Sequence, residues 1–305
     1  MMLRAVSRTV LGGALLGLLW SLPVVADEPL LKPFVLAPSA AGPVDQVVTT
    51  VKSALQAQGF EEVGGYSPYA GATVIVVTSP ELKSAAAKSD LGGFGAAQRV
   101  AVTVLNGKVQ VSYANPLYVA NAYRMGEDLK NVASRLEAAL GRGQEFGAKG
   151  LTAKQLRKYH YTFGMEYFDE PSLLAEHASF QDAIKAVEAN LAAGKHGVSK
   201  VYRVDVPGKQ EAVFGVAMKA PGDGEKQMDD RYIMSEIDFA DVRSTAHLPY
   251  EVLVSGNKVY ALYARFRIAT SFPDLAMMGS HSFMNIMGSP EAIRKALVKV
   301  AGGKD

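Results

Sequence analysis

The chain has 305 residues, with 32 Lys and Arg against 30 Asp and Glu and a formal charge of +2 at pH 7. It contains no cysteine, which excludes disulfides, covalent c-type haem attachment and thiol catalysis. Such a balanced composition lacks the basic footprint that offsets phosphate charge, so no nucleic-acid partner is expected.

Residues 1–26 have the pattern of a cleavable secretory leader. Arg4 and Arg8 precede an apolar run over 10–19, and Val24, Val25 and Ala26 form a small-residue cleavage site before Asp27. The apolar run is too short to span a bilayer, and no later segment is long and apolar enough to do so. The expected location is the periplasm or the exterior, with no transmembrane segment after cleavage. The leader holds Arg4 and Arg8 and no acid, so the cleaved chain balances its basic and acidic residues.

The first domain is expected over 27–141. Val44, Val48, Val51 and Leu55 place an apolar stripe on one helix face, and Gly59 ends that helix. A strand pair follows at 60–66 and 73–78. Gly92, Gly93, Phe94 and Gly95 match no phosphate-loop fingerprint and read as a loop. Residues 101–114 alternate apolar and polar side chains around Asn106 and Gly107, a hairpin signature. Val132, Leu136 and Leu140 line a closing helix. Residues 142–158 read as a linker with a short helix at 153–158.

The second domain is expected over 159–305. Tyr159, Tyr161, Phe163, Met165 and Tyr167 alternate onto one face of an expected first strand, either as sheet core or as the wall of a pocket. Phe180, Ile184, Val187 and Leu191 repeat the earlier helical spacing, and Gly194 ends that helix. Strands are expected at 199–206 and 212–218. Asp229, Asp230, Glu236, Asp238 and Asp241 lack the calcium-loop spacing and read as a solvated insertion. Residues 251–264 then match 101–114 in register, with Val102/Val252, Val104/Val254, Lys108/Lys258, Val109/Val259 and Tyr113/Tyr263 coinciding. A repeat of this length points to a tandem duplication. The expected class is α+β: two tandem repeats, each an antiparallel sheet with two helices on one face, in the order β-α-β-β-β-β-α. Ser289, Pro290 and Glu291 make a good helix start, and Ile293, Leu297 and Val300 line the last helix.

The helix-strand-strand opening, the strand from Leu248 through Pro249, Tyr250 and Glu251 to Val254, the Gly256-Asn257-Lys258-Val259 hairpin and the Asn115-Pro116 step resemble domain-of-unknown-function family 302 (DUF 302). The resemblance covers one unit at about 33–141 and another at about 159–303. It implies a TATA-binding-protein-like α+β unit and brings no established activity. Family members often carry a Cys before the Asn-Pro step. Here Ala114 stands there, so a thiol-based role is absent.

Between hairpin and closing helix the second copy is longer, by about eleven residues. That gain holds Met277, Met278, His281, Met284 and Met287. As a helix it would set Met277, His281 and Met284 on one face. Soft thioethers with an imidazole select Cu(I); the alternative is that these Met residues fill the core. All five His lie in the second half, without zinc-motif spacing. His247, with Asp241 and Arg243 nearby in sequence, offers an acid–base and anion-binding group. No serine-hydrolase elbow is present.

The first functional expectation is a non-enzymatic binding protein, without a required cofactor. It takes a small apolar ligand or a periplasmic protein partner through Tyr159, Tyr161, Phe163, Tyr167, Arg243 and His247. The second is a Cu(I)-handling protein using the Met/His segment. The third is an enzyme with its acid–base site at Asp241, Arg243 and His247.

Overall fold

The structure, a computed structural model, describes residues 28–38 and 41–304; the expected leader lies outside the described residues. Its first sheet is built from β1 (Phe34–Leu36), β2 (Glu61–Tyr66), β3 (Ala72–Thr78), β4 (Gln98–Leu105), β5 (Lys108–Ala114) and β6 (Gln144–Phe146). Its second is built from β7 (Ser172–Glu176), β8 (Val198–Asp205), β9 (Glu211–Met218), β10 (Tyr250–Ser255) and β11 (Lys258–Ala261). The spatial orders are β2-β3-β4-β5-β1-β6 and β7-β11-β10-β9-β8. Every pairing is antiparallel, as hairpin connections require.

The helices are α1 (Val44–Ala57), α2 (Pro80–Ala87), α3 (Pro116–Ala122), α4 (Lys130–Leu140), α5 (Ala153–Leu156), α6 (Phe180–Ala192), α7 (Asp230–Ile237), α8 (Ala264–Ser271) and α9 (Ser289–Ala301). The fold is therefore α+β with two antiparallel sheets. Helices α1 and α4 pack together on the first sheet, α6 and α9 on the second. In each half the structure adds a helix between the strand pairs (α2, α7) and another after the hairpin (α3, α8). Local chemistry explains the first additions. Ser79 Oγ accepts from Leu82 N at 3.2 Å to start α2, and Asp229 Oδ1 accepts from Tyr232 N at 3.0 Å to start α7.

The apolar faces of α1 and α6 dock with the same small rotation. Val47, Val51 and Leu55 are buried in α1, and Ala183, Val187 and Leu191 in α6. The expected Val44, Val48, Phe180 and Ile184 sit at the rim, half-buried. Residues 142–158 hold the expected short helix as α5, and also pair: Gln144–Phe146 extends the first sheet beside β1, and Leu151 bridges to Leu31. Two other expectations are corrected. Tyr159 to Tyr167 is not a strand; Gly164 turns the backbone at φ +78°, and the second sheet begins at β7. Ser289 does not cap α9, because its hydroxyl donates to Gln227 Oε1 at 2.6 Å and the cap position falls on Gly288.

The two halves interlock. The tight turn at Gly92–Gly95, between α2 and β4, lies on β9 and β10. The matching turn at Thr245–His247, between α7 and β10, lies on β3, β4 and β5. Gly93 N donates to Glu211 Oε1 at 2.7 Å, and a Cβ on Gly93 would stand 2.4 Å from the Leu253 side chain. Thr245 Oγ1 meets Tyr69 Oη at 2.7 Å and Thr103 Oγ1 at 3.0 Å. The cores merge accordingly: Tyr202, Val204, Val213, Leu253 and Phe266 pack into the first half's apolar cluster.

Edge strands β2 and β8 meet where both are bulged, between Glu62 and Gly64 and between Lys200 and Tyr202. A Cβ on Gly64 would lie 2.0 Å from the Val201 carbonyl oxygen. That atom is backbone and cannot swing away. Gly64→Ala is therefore expected to lower stability by about 1–3 kcal/mol, the usual range for overpacking. Urea unfolding monitored by circular dichroism checks this; unchanged stability would show that the two edges slide freely.

Candidate functional site

The segment 159–167 wraps over α8. Tyr159 Oη donates to Ala269 O at 3.0 Å, and burial pushes its pKa up. Tyr161 lines a small, partly enclosed cavity of about 30 Å³, walled also by Phe266, Phe272 and Phe283. Tyr167 packs against His160, with ring centroids 4.5 Å apart and the planes tilted by 39°. Phe163 projects from the turn, 98 % exposed. Glu166 pairs bidentately with Arg265; burial opposes its ionisation, but Arg265 outweighs that and holds the carboxyl below its usual range.

Opposite this segment lie residues 272–287. They do not form the expected helix, because Gly279 at φ +109° and His281 at φ +54° bend the chain back on itself. Phe283 N donates to Ala276 O at 2.9 Å and Met284 N to Met277 O at 3.1 Å, closing the loop. A single tight turn, Phe283–Ile286, follows. Ile286 is buried, Tyr232 Oη donates to Asn285 O at 3.0 Å, and Asn285 Nδ2 to Glu236 Oε2 at 2.8 Å. These contacts anchor the loop while its methionines face outward. Met277, Met278, Met284 and Met287 are 47 %, 73 %, 54 % and 67 % exposed, so they are not core filler.

These four methionines, with Met165 and Tyr263, line one open groove of about 590 Å³. Met165 also borders the small cavity and a shallow hollow of about 560 Å³ that includes His160, Phe163 and Tyr167. Cavity, groove and hollow thus adjoin: the first two are mainly apolar, and the hollow also carries His160, Glu166 and Glu170. The charges on the groove's walls are matched: Arg265 with Glu166, and Arg294 with Glu291 at 3.0 Å. His281 stands apart, its ring stacked on Phe239 at 4.8 Å rather than facing the groove.

Asp241, Arg243 and His247 are not brought together. Asp241 is exposed, and its carbonyl accepts from Gln110 Nε2. The Arg243 guanidinium donates to the Asp238 carbonyl. The His247 ring is fully buried, with Nδ1 paired to Ser271 Oγ at 2.8 Å and Nε2 to Tyr250 Oη at 3.3 Å. Burial, then Arg267 and Arg99, hold its pKa well below the usual imidazole range. The arrangement cannot work as the expected acid–base site, and neither Arg243 nor His247 reaches the apolar groove.

No family model matches the chain, and no curated protein matches it. Among solved structures it is similar to one described as "uncharacterized conserved protein DUF302 from Bacillus stearothermophilus". The identity is 14 %, the match covers 38 % of this chain and 100 % of that one, and the TM-score is 0.33. At that score the likeness carries no weight for the architecture, which rests on the sheets and helices described above.

Sequence patterning missed a buried charged cluster between the halves. Arg99 on β4 and Arg267 on α8 both reach Glu251 on β10, at 2.8 and 3.1 Å. Tyr202 Oη donates to the same carboxylate at 3.4 Å. Arg267 also donates to Tyr123 Oη, His247 O and Pro249 O. The readable signal was a charge at an inward strand position: Glu251 shares its face of β10 with buried Leu253. Nothing in the spacing paired it with Arg99.

Proposed function

We propose that this chain is an extracytoplasmic, non-enzymatic binding protein. In this reading two units resembling family 302, over 27–141 and 159–305, carry one apolar groove on the second. The occupant is a small apolar ligand or an apolar segment of a protein partner. The observation that supports the reading most is the exposure of four methionines around a groove that deepens into an aromatic-walled cavity, with Phe163 exposed in the adjoining hollow. Contiguous exposed apolar surface of this kind marks binding sites. Thioethers and rings line it, and its charged groups are already paired, so it offers contact area rather than a reacting group. The location is proposed from the leader pattern over 1–26.

The test uses an apolar fluorescent probe. Burying a Phe side chain is worth about 1.5–3 kcal/mol, so Phe163→Ser should weaken probe binding about tenfold or more. Its exposure predicts a stability change within about 0.5 kcal/mol. Saturable binding lost in the variant supports the reading. Non-saturable binding, or binding indifferent to Phe163, removes it.

A further inference from the structure

We propose that Met277, Met284 and Met287 form a Cu(I) site, with Met278 and Met165 at its border. The backbone bond from Met284 N to Met277 O, at 3.1 Å, sets these two residues side by side across the closed loop. Met287 follows Met284 by three residues on a tight turn, its N donating to Met284 O at 3.4 Å. In such a turn side chains three apart eclipse one another. All three line the same groove.

The chemistry of that donor set is narrow. Neutral, soft thioethers favour Cu(I) over Zn(II) or Cu(II), and the chain has no thiol to compete. The two guanidinium groups bordering the groove are neutralised by Glu166 and Glu291, so a bound cation meets no unbalanced positive charge. The loop's anchors at Ile286 and Asn285 hold the backbone before any metal arrives. Thioethers lose no proton on binding, unlike His or Cys ligands. Affinity should consequently be flat with pH. The site stands independently of the apolar-occupant reading: it needs the sulfur atoms, whereas an apolar occupant needs only their volume.

The experiment titrates the protein with Cu(I) against a chromophoric chelator, without oxygen, at about pH 5.5 and about pH 8. One equivalent should bind at equal affinity at both pH values, with a sulfur-only shell by X-ray absorption. Met284→Leu should weaken binding at least about tenfold, the lower bound seen when even an outer-shell partner is lost. His281→Ala should leave it unchanged. The triple variant Met277→Leu, Met284→Leu, Met287→Leu should abolish Cu(I) uptake yet keep its melting temperature and apolar-probe binding, because Leu preserves volume. No uptake beyond the chelator's, uptake surviving in the triple variant, or loss on His281→Ala would overturn the assignment.

Discussion

Glu251→Gln is expected to lower stability by about 3–5 kcal/mol, the range for breaking a buried ion pair from one side. The carboxylate is the only anion in contact with two guanidinium groups, Arg99 at 8 % and Arg267 at 2 % side-chain exposure, among the described residues. Neutralising it leaves two positive charges in the interior with no counter-charge. Burial alone would lower the Arg267 pKa, but Glu251 and Tyr123 more than reverse this, so Arg267 stays charged and cannot escape by losing its proton. The cluster already carries one excess positive charge. Arg99→Met should therefore cost less than Glu251→Gln, because it removes the excess and leaves Arg267 paired. Urea unfolding of both variants checks the order. A loss under about 1 kcal/mol for Glu251→Gln would mean that water reaches the cluster and screens it. Since Arg99 belongs to the first sheet and Glu251 and Arg267 to the second half, the same substitution should also loosen the interlock between them.

What could be read beforehand followed the strength of local periodicity. The hairpin at β4–β5 is fixed by Asn106 and Gly107, both at positive φ, and its counterpart at β10–β11 by Gly256, so neighbours hardly matter. The helices α1 and α6 show a full apolar face. Helix α2 is short and Ala-rich, and its one clear signal is the Ser79-Pro80 start. Tyr159 to Tyr167 alternates like a strand, yet each ring finds a different partner: Tyr159 the Ala269 carbonyl, Tyr167 the His160 ring, Phe163 solvent. Alternation alone cannot say that there is a neighbouring strand to pair with. The acidic run before β10 was misleading in the opposite sense. Asp230 and Asp238 look solvated in sequence but are buried: Tyr66 reaches Asp230 from the first half, and the chain folds back so that Ser244 N donates to Asp238. The methionine groove needed the bend at Gly279 and His281, which no period encodes.

Those two buried aspartates give the second large effect. Asp230 accepts from Tyr66 Oη at 2.8 Å and Met218 N at 3.1 Å, and its Oδ1 has no partner. Asp238 accepts from Ser244 N at 2.9 Å, and its Oδ2 has no partner. For each, burial pushes the pKa up to about 7, against the smaller opposing pull of these hydrogen bonds. A carboxyl whose folded pKa lies above its unfolded value of 3.8 keeps its proton longer in the folded state. Its contribution is complete below the unfolded value and is lost as pH rises to the folded one. His247 acts in the opposite direction: its folded pKa is depressed, so its contribution is present above the usual imidazole range and lost as pH falls. The raw pH profile therefore mixes two signs, and a difference measurement separates them. Asp230→Asn removes one titration and leaves His247 in place. Its stability relative to the unsubstituted chain should rise by about 3 kcal/mol between about pH 5 and about pH 8, at about 1.4 kcal/mol per unit over the two units the carboxyl spans there. Asp238→Asn should do the same. Urea unfolding at a series of pH values reads both. A difference that stays flat would show that neither carboxyl holds its proton near neutrality, and that water or rearrangement satisfies the orphaned oxygens.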